Sequence, residues 1–135
     1  MLKLNERVYV KHLTLVEVNK RDMGATIDFN EGCIKQFVET LRSDDPEIRK
    51  QLDVDYDRDK NTYILVTVRP DWMDDTIIRR HPFVKFKYVG TQKVWKLYWL
   101  RANGKWQVYD ELSETVDLDD IFKEIVSDPY GCFFG

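Results

Sequence analysis

The sequence predicts an α+β domain, an antiparallel meander of about five strands with helices packed on one face. Three observations lead there. Residues 52–57 alternate apolar and polar side chains, 62–69 follow as a hairpin partner, and Asn103-Gly104 is a second hairpin signal. Ile34, Phe37, Val38 and Leu41, and again Leu118, Ile121, Phe122 and Ile125, have the spacing of a helical stripe. The strands cluster in the middle of the chain, which places helices to one side of one sheet.

Residues 8–18, VYVKHLTLVEV, are rich in β-branched and aromatic side chains and predict a strand. Residues 20–24 read as a turn and 25–29 as a short return strand. A helix is expected from Asn30, with Asp28 and Glu31 at capping-box spacing. Asp44-Asp45-Pro46 ends it and opens a short second helix, with Asp45 as N-cap and Pro46 as first helical residue. Leu52, Val54 and Tyr56 alternate with Asp53, Asp55 and Asp57 in a half-buried strand, and 62–69 return as its hairpin partner. Pro70 closes that strand, and 70–82 is expected to be a loop carrying Trp72.

The turns set the register of the remaining strands. Asn103-Gly104 reads as a two-residue hairpin turn, which pairs Tyr98 with Tyr109 and Arg101 with Trp106. Gly90-Thr91 reads the same way and pairs Phe86 with Trp95, and Lys85 with Lys96. One face then collects Val84, Phe86, Tyr88, Trp95, Leu97, Trp99, Trp106 and Val108 as core. The other collects Phe83, Lys85, Lys87, Val94, Lys96, Tyr98, Leu100, Lys105, Gln107 and Tyr109. After the sheet, 117–126 form a short helix with acids in the first turn, where the helix dipole favours them. Asp128-Pro129-Tyr130-Gly131 breaks it, and the apolar end Cys132-Phe133-Phe134-Gly135 is expected to dock on the body.

With 135 residues, 43% hydrophobic and 33% charged, the chain has the composition of a soluble globular protein with one domain, 1–135. The first 28 residues are expected to be a β-type N-terminal extension. No apolar run is long enough to span a bilayer, which takes roughly 20 residues. Charge interrupts the N-terminus too early for a secretory signal, so a cytoplasmic setting is expected. Cys33 and Cys132 form no C-x-x-C pattern and read as free thiols. The net charge of −3 hides a division: residues 76–109 hold eight lysines and arginines and no acid, and the remainder carries the excess of acids.

Several features together resemble a bacterial family known only as domain of unknown function number 3024. They are Arg69-Pro70-x-Trp72, the run Pro82-Phe83-Val84-Lys85-Phe86-Lys87-Tyr88, then Trp95-Lys96-Leu97-Tyr98-Trp99 and Lys105-Trp106. An aromatic at Tyr109 and the terminal Asp128-Pro129-x-Gly131-x-Phe133-x-Gly135 complete the set. The resemblance covers residues 52–135, with a looser match over 30–51. It implies a compact, stand-alone bacterial protein and supplies no activity. Members often carry His after the Lys-Trp pair, where this chain has Gln107.

Catalytic signatures are missing. There is no nucleophile elbow, phosphate-cradling loop, histidine dyad or zinc pattern, and no cofactor or metal is expected. Asp53, Asp55, Asp57, Asp59 and Asn61 have the period of a calcium loop, but Arg58 stands where the loop glycine belongs and Ile64 where the closing Glu belongs. Period-two acids are also what a strand with one wet face produces. The basic and aromatic sheet face is the main candidate site, with Lys85, Lys96, Tyr98, Lys105 and Tyr109 as binding residues. Arg79 and Arg80, with His81, in the preceding loop are a candidate anion contact. The expected function is a non-catalytic macromolecular binding or self-associating domain, its partner a protein or a second copy. The alternative is single-stranded nucleic acid, whose bases stack on aromatics while phosphates meet cations. A solvated lysine face that discourages edge aggregation accounts for the same residues.

Overall fold

The computed structural model of the protein describes residues 26–134. In chain order these form helix α1 (Thr26–Leu41), helix α2 (Pro46–Gln51), strands β1 (Asp53–Asp59), β2 (Thr62–Pro70), β3 (Ile78–Val89), β4 (Val94–Leu100) and β5 (Trp106–Val108). A 3-10 turn (Asp110–Leu112), the short strand β6 (Glu114–Thr115) and helix α3 (Leu118–Ser127) follow. The strand and turn expected before Ala25 lie outside the described residues. Residues 26–29 are helical and not the return strand expected there, so α1 begins before Asn30 and Asp28 lies inside it. The Asp45 cap forms as read, and Asp117, expected as the first residue of the last helix, is instead its cap. Asp45 accepts the Glu47 N–H at 2.9 Å, and Asp117 accepts the Asp119 N–H at 2.9 Å.

The strands form one antiparallel sheet in the order β1-β2-β3-β4-β5, with β6 pairing beside β5 on β4. Both long helices lie on one face. Ile34, Phe37, Val38 and Leu41 of α1 and Ile121, Phe122 and Ile125 of α3 are buried against Tyr63, Leu65, Val84, Phe86, Trp95 and Leu97. Phe37 stacks on Phe122 with ring centroids 4.1 Å apart, which joins the two helices above the sheet. Burial of each such side chain contributes about 1.5–3 kcal/mol.

Two turns differ from the expected types, with different consequences. The β3–β4 connection has four residues, Gly90–Lys93, and the left-handed residue is Lys93 (φ 56°), whose N–H reaches Val89 C=O at 2.8 Å. The register moves by two residues, so Phe86 pairs with Leu97 and Lys85 with Tyr98. An even shift leaves every side chain on its face.

The β4–β5 connection has three residues, Ala102–Gly104. Gly104 N–H returns to Arg101 C=O at 2.9 Å, and Arg101 N–H donates to Lys105 C=O at 2.9 Å. This is a type I turn followed by a glycine at φ 80°, a G1 bulge rather than a two-residue turn. The register therefore moves by one, and Tyr98 pairs with Val108 and Leu100 with Trp106. An odd shift reverses faces. Trp106 and Val108 turn outward, while Tyr109 and Gln107 turn to the helical side.

A third irregularity affects Phe83. The β2–β3 register shifts between Leu65, which pairs with Val84, and Val66, which pairs with Pro82, leaving Phe83 as the extra residue. Such a bulge turns Phe83 to the same side as Val84, where it is buried and meets the Phe134 ring at 5.1 Å. Residues 78–82, expected as loop, instead extend β3 along β2 as far as Pro70–Ile78.

Candidate functional site

The face away from the helices carries the candidate site. Arg80 and Pro82 before the bulge and Lys85 and Lys87 after it point outward from β3, beside Ile64, Val66 and Val68 of β2. Lys96, Tyr98 and Leu100 of β4 and Trp106 and Val108 of β5 continue the face. Apart from Val66, all of these are half-buried or exposed.

Lys85 lies at its centre. Its ammonium sits 4.5 Å from the Tyr98 ring centroid and 5.2 Å from that of Trp106. Both are cation–π distances. Burial against these rings, and then the neighbouring Lys87, lower the Lys85 pKa from its ordinary 10.5. Trp106, expected opposite Arg101, pairs with Leu100 instead and meets the Lys85 ammonium. Lys87 stands opposite Lys96, and Lys96 opposite Glu114 on its other side, so one of the two cations has an acid as strand neighbour. Lys105 is exposed at the hairpin turn, where its N–H donates to Asn103 Oδ1 at 3.0 Å.

Tyr109 does not belong to the site. It is 1% exposed, packs on the Phe133 ring at 5.0 Å and donates its hydroxyl to Glu124 at 3.4 Å. Its phenol is held well above the ordinary range, first by burial and then by Glu124. The cause is the odd register shift at the G1 bulge, which puts Trp106 outside in its place.

The two arginines are in β3, not in a loop, and as neighbours in a strand they separate. Arg80 reaches Asp55 at 3.0 Å and Asp57 at 2.7 Å across the outer face. Arg79 pairs with Asp71 at 3.1 Å at the base of the β2–β3 connection. Both charges are thus already met within the chain. On β1, Asp55, Asp57 and Asp59 line the outer edge of the face, and Asp53 is clamped by Arg42 through Nε at 2.8 Å and the second terminal nitrogen at 2.9 Å. Burial alone would raise the Asp53 pKa, but the Arg42 hydrogen bonds and the Val54 N–H hold it below the usual carboxylate range. No group of three or more His, Cys, Asp or Glu side chains is placed to hold a metal ion among the described residues.

The face therefore has two poles, acidic along β1 and basic over β3 and β4, with Ile64, Val66 and Val68 of β2 between them and Tyr98 and Leu100 within the basic one. Sequence reading missed Trp106 and Val108. The Asn103-Gly104 pair was the signal, because it suits both a two-residue turn and the end of a three-residue G1 loop.

The terminal motif has a structural role. Asp128 adopts a left-handed conformation (φ 39°), and its carboxylate accepts the N–H of Phe133 at 3.1 Å and of Phe134 at 2.9 Å. Gly131 (φ 66°) turns the chain between them, with its N–H on Asp128 C=O at 3.1 Å. Phe133 is thereby seated in the core beside Tyr109, and Phe134 beside Phe83.

No helix among the described residues is long and apolar enough to cross a membrane. Neither curated proteins nor solved structures yield a match to the chain. The family described as Domain of unknown function (DUF3024) matches residues 25–135. That span takes in the bulged β3, the Lys85–Tyr98–Trp106 cluster and the Asp128 clamp, and it is most of the chain, so the protein belongs to this bacterial family of α+β domains.

Proposed function

We propose that the protein is a non-catalytic, cytoplasmic domain that associates with a second copy of itself through the outer sheet face. The observation that carries this reading is the separation of opposite charges on one face. Asp55, Asp57 and Asp59 occupy β1 and keep an excess of acid there beyond the Arg80 that bridges the first two, whereas Lys85, Lys87 and Lys96 occupy β3 and β4. Neighbouring strands are about 4.8 Å apart, so the β1 and β4 poles stand roughly 14 Å from each other. That exceeds the Debye length of about 8 Å at physiological salt, and each pole acts on its own surroundings. A two-fold rotation lays the acidic pole of each copy over the basic pole of the other, the self-complementarity a symmetric dimer needs. Ile64 and Val68 of β2 supply apolar area between the poles, and Tyr98, Leu100 and Val108 supply more within and beyond the basic one.

Sedimentation velocity from about 0.1 M to about 1 M salt tests this, since the Debye length falls over that range from about 10 Å to about 3 Å. A dimer that weakens progressively with salt is expected. Salt-independent sedimentation would remove the reading.

Single-stranded nucleic acid is the second reading, and the Lys85–Tyr98–Trp106 cluster is what favours it. The acidic β1 stripe on the same face opposes a phosphate backbone, and Lys85 already occupies ring surface that a base would use. Titration of a labelled single-stranded oligonucleotide at two salt concentrations decides it. Salt-dependent binding at micromolar protein supports this reading, and no binding excludes it.

A further inference from the structure

Strand β1 ends the sheet beside β2, and among the described residues nothing pairs with its other edge. Asp59 and Thr62 face each other across a two-residue turn, so Asp53, Asp55, Asp57 and Asp59 exchange the ladder bonds with β2. Val54 and Tyr56 therefore aim their backbone groups away from the sheet. The Val54 N–H, facing that way, donates to the carboxylate of Asp53 at 2.8 Å. The N–H and C=O of Tyr56 face the same open edge. A seven-residue edge is a template for another strand, and proteins commonly cover one. A cleft of about 530 Å³ follows this edge. Val38 of α1, Val54 and Tyr56 line its helical side, and Asp55, Val68 and Arg80 its outer side. A cleft lined from both faces of a strand wraps around that strand's edge, where a further strand would sit. Its charges balance, Lys35, Arg42 and Arg80 against Glu39, Asp53 and Asp55, so its interior suits an apolar insert. Along the outer side of β1, Asp55, Asp57 and Asp59 set against Arg80 leave two negative charges in excess.

The chain itself holds a segment of matching chemistry. Residues 1–25 lie outside the described residues and lead directly into α1 at Thr26. Glu31, in the second turn of α1, meets Arg58 at 3.1 Å, which sets the start of that helix beside the hairpin end of β1. Residues 12–25 can span about 46 Å when extended, against about 23 Å for the whole of β1. Within that reach stands Arg7-Val8-Tyr9-Val10-Lys11, with a strict two-residue period. Such a run has one β-branched apolar face and one face with a cation at each end. The apolar face fits the Val38 and Val54 side of the cleft, and the two cations match the two excess acids.

We propose that residues 7–11 of the same chain add to β1 as an edge strand, with Val8 and Val10 in the cleft and Arg7 and Lys11 over the acids of β1. Main-chain hydrogen bonds to Tyr56 hold the added strand, and its alternate side chains set its register. Docked, Arg7 and Lys11 cancel the acidic pole that the association proposed above draws on. The segment therefore competes with a second copy for β1, and this consequence alone rests on that reading.

Amide hydrogen exchange on the full chain, diluted until it sediments as a monomer, reads the docking directly. The Tyr56 amide is expected to exchange about tenfold more slowly than in an unstructured peptide, the protection of a hydrogen-bonded edge amide. Val8→Ser with Val10→Ser removes the apolar insert, and Arg7→Glu with Lys11→Glu reverses the cations. Each pair should return Tyr56 towards the unstructured rate. The Asp57 amide, bonded to β2, should stay protected in every variant and so reports an intact sheet. Free exchange at Tyr56 in the wild type overturns the proposal. Protection that both variants leave unchanged, or that grows with protein concentration, overturns it too. Sedimentation at about 0.1 M salt, where the Debye length is about 10 Å, reads the competition. Tenfold protection corresponds to about one chain in ten undocked, so the Val8→Ser, Val10→Ser chain should associate about tenfold more tightly than the wild type. A protected Tyr56 with no association in any variant upholds the docking and removes the self-association reading, so the two fail separately.

Discussion

The Asp128 carboxylate accepts the backbone N–H of Phe133 at 3.1 Å and fixes the last residues of the chain onto the body. A second bond from Phe134 N–H at 2.9 Å shares the same side chain. Both are hydrogen bonds to a charged acceptor, each contributing about 1.5–3 kcal/mol. Asp128→Ala removes them and also puts a β-carbon residue less tolerant of φ 39° at the turn. Chemical denaturation should show a loss of about 2–4 kcal/mol. Asp128→Asn keeps an acceptor and the left-handed tolerance and should lose less. Equal stability of the Ala variant and the wild type would contradict the clamp.

Tyr109 separates a core role from a surface role. Tyr109→Ala removes an aromatic side chain that is 1% exposed and should cost about 3–5 kcal/mol. Tyr109→Phe keeps the ring, losing only the 3.4 Å hydroxyl contact to Glu124, and should cost about 1 kcal/mol or less. Trp106→Ala, on the outer face, should cost less than Tyr109→Ala. Thermal denaturation of the three variants checks the order, and a reversed order would restore the two-residue turn.

The β2–β3 connection has a pH signature. Arg79 and then the Met73 N–H hold the Asp71 pKa below its ordinary 3.8, and the Thr76 hydroxyl and N–H do the same for Asp74. A depressed folded-state carboxyl pKa contributes stability that is complete above the unfolded value and is lost as pH falls through the folded one. The loop frame should therefore persist to pH 3.8 and open only below it. In a nitrogen–proton correlation spectrum, the Met73, Asp74 and Thr76 amides should hold their shifts down to that pH and then move together. Movement that begins above pH 4.5 would show that these carboxylates are not held by the loop.

Much of the fold was legible because it is written in periodicity. The stripes of α1 and α3, the alternation of β1 and the cap at Asp45 all depend on neighbours in sequence. The core role of Trp95 and Leu97 survived a wrong turn type because the β3–β4 shift was even. What failed was set by single residues in left-handed or bulged conformations. Gly104 at φ 80° converts one hairpin into another and exchanges Tyr109 for Trp106. The bulge at Phe83 has no local signature, since it answers to packing against Phe134. The pairing of Arg80 with Asp55 and Asp57 joins residues more than twenty positions apart, and only the strand register brings them together. Of the candidate site, Lys85, Lys96 and Tyr98 stayed in place, Arg80 joined the face as an ion-pair partner, and Tyr109 left it.

The self-association account stands on the two poles of the outer face, and a charge exchange tests it most directly. One variant carries Asp55→Lys and Asp57→Lys, the other Lys87→Asp and Lys96→Asp. These are surface positions, where lost ion pairs cost at most about 1 kcal/mol each, so both chains should fold. At about 0.1 M salt each variant alone repels its own copies and should sediment as the less associated species, as the Debye length of about 10 Å leaves the charges in contact. Mixed in equal amounts, the two should recover an assembly of wild-type size, as opposite poles meet again. Variants that each associate as the wild type does, or a mixture no larger than its components, would contradict the account.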